Sequence, residues 1–127
     1  MEKENIVLFV YGTLRVGGSH HHLLGEASVI HKGYALPGYG MYSAGWYPVV
    51  VAEQDSPTQV VGDVIGIQAD LIPKLDVYEG NEFTRKQIEI PQIKGTVWIY
   101  LLKDSEDVSS YKPVPGGDWL ASVKSSE

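Results

Sequence analysis

Cysteine is absent from the chain. That excludes a disulfide framework, a thiolate metal site and a cysteine nucleophile, and it fits a reducing compartment. Long apolar runs are missing too: none approaches the roughly 18–20 residues that cross a bilayer. The opening Met1–Asn5 is polar and mixed in charge, and the apolar run behind it is short, unlike a signal peptide. The expectation is a soluble, cytoplasmic protein with no membrane partner. Basic patches are lacking as well. Ten Lys and Arg are scattered against sixteen Asp and Glu, for a net charge of −6. A nucleic-acid binder needs a basic face, so no such partner is expected. The negative balance does not bar an anionic small molecule, because local backbone donors decide that, not the whole-protein field.

Several catalytic signatures are also missing. No G-x-S-x-G elbow occurs, and Gly12, Gly17 and Gly18 form neither a G-x-G-x-x-G fingerprint nor a P-loop. His20, His21 and His22 are adjacent in a loop, where side chains rarely converge on one ion. His31 is isolated, and no i, i+4 pair completes a ligand set. Neither a metal nor a cofactor is expected.

What is present begins with Ile6–Arg15. An apolar, β-branched run ends abruptly in Tyr11-Gly12-Thr13-Leu14. This reads as a buried strand that stops at a glycine and brings bare N–H groups to the sheet edge. On its own it is equally the first strand of a core with a bland turn. Residues 27–42 read as two strands joined near Pro37-Gly38, with glycines that mark bulges or bends. Further strands are expected at Trp46–Ala52, Val60–Ile67, Phe83–Ile90 and Gly95–Leu102. Glu53–Gln59 reads as a turn, Lys103–Ser110 as an exposed loop and Lys124–Glu127 as a loose tail. Ser19 is placed to cap a helical turn that carries Leu23 and Leu24 inward. Asp70 is placed to cap the one clear helix, whose apolar face is Leu71, Ile72, Leu75 and Tyr78 and whose stop is Gly80. Asp118 is placed to open a short terminal helix.

The 127 residues, 43% hydrophobic, suit a single domain over 1–127. Strands do not alternate with long helices, so a doubly wound sheet does not fit. The expected fold is α+β: a small mixed β-barrel or strongly curved sheet of about six strands, flanked by short helices.

Glu79 closes the helix beside apolar Val77 and Tyr78. A carboxylate at a helix C-terminus opposes the macrodipole, and apolar neighbours desolvate it. Both effects raise its pKa toward that of a general base. The same position also suits a solvated acid beside a glycine turn. Asp76 is either a surface charge or the holder of a backbone turn. Arg85 is either a carboxylate binder or half of a structural ion pair.

Three motifs in order resemble the γ-glutamylcyclotransferase-like family. The first is Val10-Tyr11-Gly12-Thr13-Leu14-Arg15 with Gly17 and His21–Leu24. The second is Leu75-Asp76-x-x-Glu79-Gly80 with Phe83-x-Arg85, and the third is Gly117-Asp118-Trp119. The resemblance implies a mixed barrel or curved sheet with a cavity. Glu79 is then the acid/base, and Tyr11, Gly12, Thr13 and Leu14 form the substrate loop, with Arg85 as a further substrate contact. The implied reaction cyclises a γ-glutamyl amine or amide to 5-oxoproline and frees the amine, without metal or cofactor. The alternative is a non-catalytic binder of a γ-glutamyl-like or other small anionic ligand on the same fold. The chain departs from the family pattern at His20, often Asn, and at Phe83, where the family's Tyr hydroxyl is lost. The segment from Gly80 to Arg85 is short. These departures bear on the amine side of the substrate.

Overall fold

The structure, a computed structural model, describes residues 5–25, 27–45, 47–53, 59–93, 95–103 and 108–121. Trp46, the middle of the Glu53–Gln59 turn, much of the Lys103–Ser110 loop and the Lys124–Glu127 tail lie outside them.

Strand β1 (Asn5–Val10) is the axis of the molecule. It pairs antiparallel with β5 (Gln59–Gln68), placing Phe9 opposite Val64 and Val10 opposite Asp63. On its other side it pairs parallel with β7 (Val97–Leu102), Phe9 opposite Ile99. Strands β2 (Ser28–Pro37) and β6 (Phe83–Ile88) complete a mixed five-stranded sheet in the order β2-β5-β1-β7-β6. A second sheet has the order β4-β3-β8, from β3 (Tyr39–Ser43), β4 (Pro48–Ala52) and β8 (Lys112–Pro113). The curved-sheet expectation is therefore the one realised, with eight strands among the described residues. They form two sheets rather than a closed barrel. The two strands on either side of Gly38 do not form a hairpin. β2 belongs to the larger sheet and β3 to the smaller, so Gly38 (φ 86) is where the chain changes sheets.

Strict alternation explains why β1 is apolar from Ile6 to Val10. Leu8 and Val10 point to one face, packing with Leu24, Ile65, Ile72 and Leu75. Phe9 and Tyr11 point to the other, packing with Met41 and Val50 of the small sheet and with Trp119. A strand covered on both faces reads as a continuous apolar run. In β2 the register slips between Val29 and His31 and again between His31 and Tyr34, bulges of the kind its glycine leads one to expect.

Helix α1 (Ile72–Glu79) covers one face through buried Ile72 and Leu75. Its expected cap is corrected. Asp70 lies in a 3-10 turn, Ala69–Leu71, that leads into the helix, and the N-cap position falls to Leu71 without a side-chain cap. Pro73 has no N–H to satisfy in that first turn, so the lost cap leaves one orphan donor fewer. Likewise, His21–Leu24 forms a 3-10 turn that buries Leu24, but Ser19 Oγ faces His20 Nδ1 at 3.2 Å and caps nothing. Asp118 does cap: its Oδ1 accepts the Ala121 N–H at 3.1 Å. Among the described residues no helix is long and apolar enough to cross a membrane.

Candidate active site

Parallel pairing brings the ends of β1 and β7 to the same edge of the sheet, and β6, antiparallel to β7, begins there with Phe83 opposite Leu102. The segment before β6 is the end of α1. The loop after β1, Tyr100 of β7 and Glu79 of α1 therefore meet at one place. Between them lies a cavity of about 280 Å³. Tyr11, Gly12, Thr13 and Leu14 form one wall, Glu79 and Tyr78 another, with Tyr47, Glu82 and Phe83 also lining it.

The loop turns its carbonyls inward on its own chain. Gly12 O accepts from the Arg15 N–H, Thr13 O from His20 and Arg15 O from Gly18, at 2.8–3.0 Å. His21 Nδ1 donates to Leu14 O at 2.8 Å. Among the described residues, the N–H groups of Gly12, Thr13 and Leu14 have no acceptor. Unengaged backbone amides beside a cavity are donors available to an anion. Gly12 sits at a close approach: a Cβ there would stand 3.0 Å from Pro48 Cγ, a tight contact that the ring would have to yield to.

The far end of the loop is held by Arg15, which is 7% exposed. Its Nη2 lies 3.3 Å from Asp63 Oδ1 and its Nη1 3.0 Å from Asp118 Oδ1. Asp63, fully buried, also accepts the N–H of Val16 and of Gly33, both at 2.9 Å. Buried charges need such pairing. Arg15 and Asp118 thus join the loop to the C-terminal motif.

Glu79 is the last residue of α1, and Gly80 (φ 90) turns the chain away behind it. Burial, and next the negative charge of Asp76, push its carboxyl up to about 7. Burial also raises the Tyr11 hydroxyl well above its ordinary value, with the Glu79 charge adding to the effect. That hydroxyl donates to Tyr100 O at 2.5 Å. Asp76 behaves oppositely to Glu79. The hydrogen bonds from Arg85 outweigh its desolvation and hold it below the usual range, with the Tyr100 hydroxyl adding a further lowering. Two carboxyls one helical turn apart are thereby driven in opposite directions, the pattern that separates a proton-carrying acid from a fixed charge.

Arg85 does not line the cavity. Its Nε and Nη2 grip the two Asp76 oxygens at 3.1 Å each, and its guanidinium lies 4.8 Å from the centre of the Trp98 ring. Of its two sequence readings the ion pair is the arrangement seen. Tyr47, Tyr78, Glu82 and Tyr100 also line the cavity, and none of them reads as a site residue from the sequence. Tyr78 bridges to the loop, its hydroxyl 2.9 Å from Thr13 Oγ1. Among the described residues no three His, Asp or Glu side chains are grouped to hold a metal ion.

The family described as "Gamma-glutamyl cyclotransferase, AIG2-like" matches residues 8–121. A Vibrio cholerae protein named "Putative gamma-glutamylcyclotransferase" is 34% identical over 119 residues, 92% of this chain and 97% of that one. The solution structure of ytfP from Escherichia coli is 30% identical with a TM-score of 0.68, covering 91% of this chain and 96% of that chain. The crystal structure of YkqA from Bacillus subtilis superposes with a TM-score of 0.77 at 26% identity. It covers 98% of this chain, which spans 44% of that longer protein.

Proposed function

Because this chain belongs to the gamma-glutamyl cyclotransferase, AIG2-like family, we propose that it cyclises a γ-glutamyl amine or amide, with Glu79 as acid/base. The substrate's α-ammonium gives a proton to Glu79. The freed amine nitrogen attacks the side-chain carbonyl carbon and closes a five-membered ring. The bond from that carbon to the leaving nitrogen then breaks, and Glu79 returns its proton to the leaving amine. The ring nitrogen keeps one hydrogen: the further proton that it sheds after attack also passes to the departing amine, which leaves as an ammonium. Products are 5-oxoproline and the freed amine, and the proton count closes without any co-reactant. The loop N–H groups of Gly12, Thr13 and Leu14 take the α-carboxylate or the oxyanion that develops on the carbonyl. Folding the chain of the substrate so that its two ends meet is a positioning task for the cavity walls. In this reading Arg85 acts through Asp76 and does not touch substrate, and residues 1–127 work as one domain.

One observation supports this reading above the others. Glu79, its carboxyl pushed up to about 7, and a loop with three unengaged backbone donors line the same cavity. A base matched to neutral pH gains most from general catalysis. The test is 5-oxoproline release from a panel of γ-glutamyl amides, comparing wild type with Glu79→Gln. A loss of about a hundredfold or more is expected, typical of a removed acid/base. Saturable, Glu79-independent binding with no release by wild type would favour the binding module instead.

A further inference from the structure

The N–H groups of Thr13 and Leu14 are aimed by the carbonyls of their own peptide units. A trans peptide is planar, so its C=O and N–H point in opposite directions and holding one fixes the other. The Thr13 N–H shares its unit with Gly12 O, which the Arg15 N–H holds at 3.0 Å. The Leu14 N–H shares its unit with Thr13 O, which the His20 N–H holds at 3.0 Å.

Thr13 is held a second time, through its side chain. Its Oγ1 lies 2.9 Å from the Tyr78 hydroxyl, and the Tyr78 ring meets the His20 ring at 5.4 Å between centroids. Thr13, His20 and Tyr78 thus close a circuit: a backbone bond from His20 to Thr13, a hydroxyl contact from Thr13 to Tyr78, and a ring contact from Tyr78 back to His20. Tyr78 immediately precedes Glu79 at the end of α1. The circuit therefore ties the loop that carries the donors to the helix end that carries the acid. Core burial does not account for this tyrosine, which is 40% exposed. His20 stands where the family pattern often has Asn, and an Asn would bring no ring to Tyr78.

We propose that Tyr78 is a positioning residue which, with His20, holds Thr13 so that the Leu14 N–H meets the developing oxyanion while Glu79 moves the proton. This deepens the proposed cyclisation and rests on it. Tyr78 acts through Thr13 and takes no part in proton transfer.

The test uses whichever γ-glutamyl amide of the panel above wild type turns over fastest. Its kcat and KM are measured for Tyr78→Phe, Thr13→Val and the double variant, substitutions that remove a hydroxyl and keep the shape. A donor aimed at the transition state bears on kcat rather than on KM. Each single variant should lose about threefold to tenfold in kcat with KM little changed, the scale of one neutral hydrogen bond. The double variant should lose no more than either single one, because the two hydroxyls serve one contact. His20→Ala should also lower kcat, and His20→Phe, which keeps a ring against Tyr78, should restore it. In NMR spectra the Leu14 amide signal should shift alike in the two single variants. Losses that add in the double variant, that appear in KM alone, or that are absent altogether overturn the positioning role and leave the cyclisation standing. No 5-oxoproline from any amide, with the Leu14 signal shifted alike by both single variants, overturns the cyclisation and leaves the hold of Tyr78 on the loop. No release and an unmoved Leu14 signal overturn both.

Discussion

The Tyr100 hydroxyl donates to Asp76 Oδ1 at 2.7 Å, across the helix–sheet boundary and 24 residues along the chain. With the two bonds from Arg85 it fixes a negative charge one helical turn before Glu79. That charge is the second cause of the raised Glu79 carboxyl, after burial.

Asp76→Asn should therefore lower the Glu79 pKa. The substitution removes the repelling carboxylate and leaves the Arg85 guanidinium uncompensated nearby, and both changes favour ionised Glu79. The acid limb of the kcat/KM profile should move to lower pH, with the same direction seen in a direct titration of Glu79 by NMR. A purely structural Asp76 would change stability and leave that limb in place.

The same carboxyl makes stability depend on pH. Pushed up to about 7 in the folded protein, it lies above the ordinary 4.5 of a glutamate. Between those two values the folded protein holds a proton that the unfolded chain has released, so stability falls as pH rises. The loss is complete above about 7 and is on the order of 2–3 kcal/mol, given the partial exposure of Glu79. Glu79→Gln should thus be more stable than wild type at about pH 8 and close to it at about pH 4. Urea unfolding at the two pH values measures the difference.

Arg15 is the cation between buried Asp63 and the C-terminal Asp118. Arg15→Met should destabilise by about 3–5 kcal/mol, because Asp63 is left as an uncompensated buried charge. Adding Asp63→Asn should recover part of that loss, since the pair is coupled. Equilibrium unfolding of the two single variants and the double variant closes the cycle. If the double variant shows the sum of the single losses, the pair is not coupled.

Much of this site is legible in the sequence, but not its closure. The Tyr11–Leu14 turn follows from a β-branched run broken by glycine, and α1 from Ile72, Leu75 and Gly80. Glu79 stood out only through its motif, because a helix-terminal acid is as often solvated. Alternation tells which face a strand residue takes, not which strand lies beside it. The parallel pairing of β1 with β7, which sets Tyr100 beside Tyr11 from 89 residues away, leaves no local trace. The same ignorance of register hid the Asp76–Arg85 pair, since Arg85 reaches Asp76 only because β6 sets it opposite Tyr100. The split into two sheets was missed for the same reason: Gly38 signals a bend without saying which partner each strand takes.

The central claim is that Glu79, poised near neutrality in the cavity, carries the proton of the cyclisation. The most direct measurement is the pH dependence of kcat/KM for 5-oxoproline release from a γ-glutamyl amide, for wild type and for Glu79→Gln. Wild type should rise with an inflection near 7, as Glu79 ionises and becomes able to accept the ammonium proton. Glu79→Gln should be down by about a hundredfold or more and lack that inflection. A Glu79→Gln protein with the wild-type rate and the wild-type profile would contradict the claim.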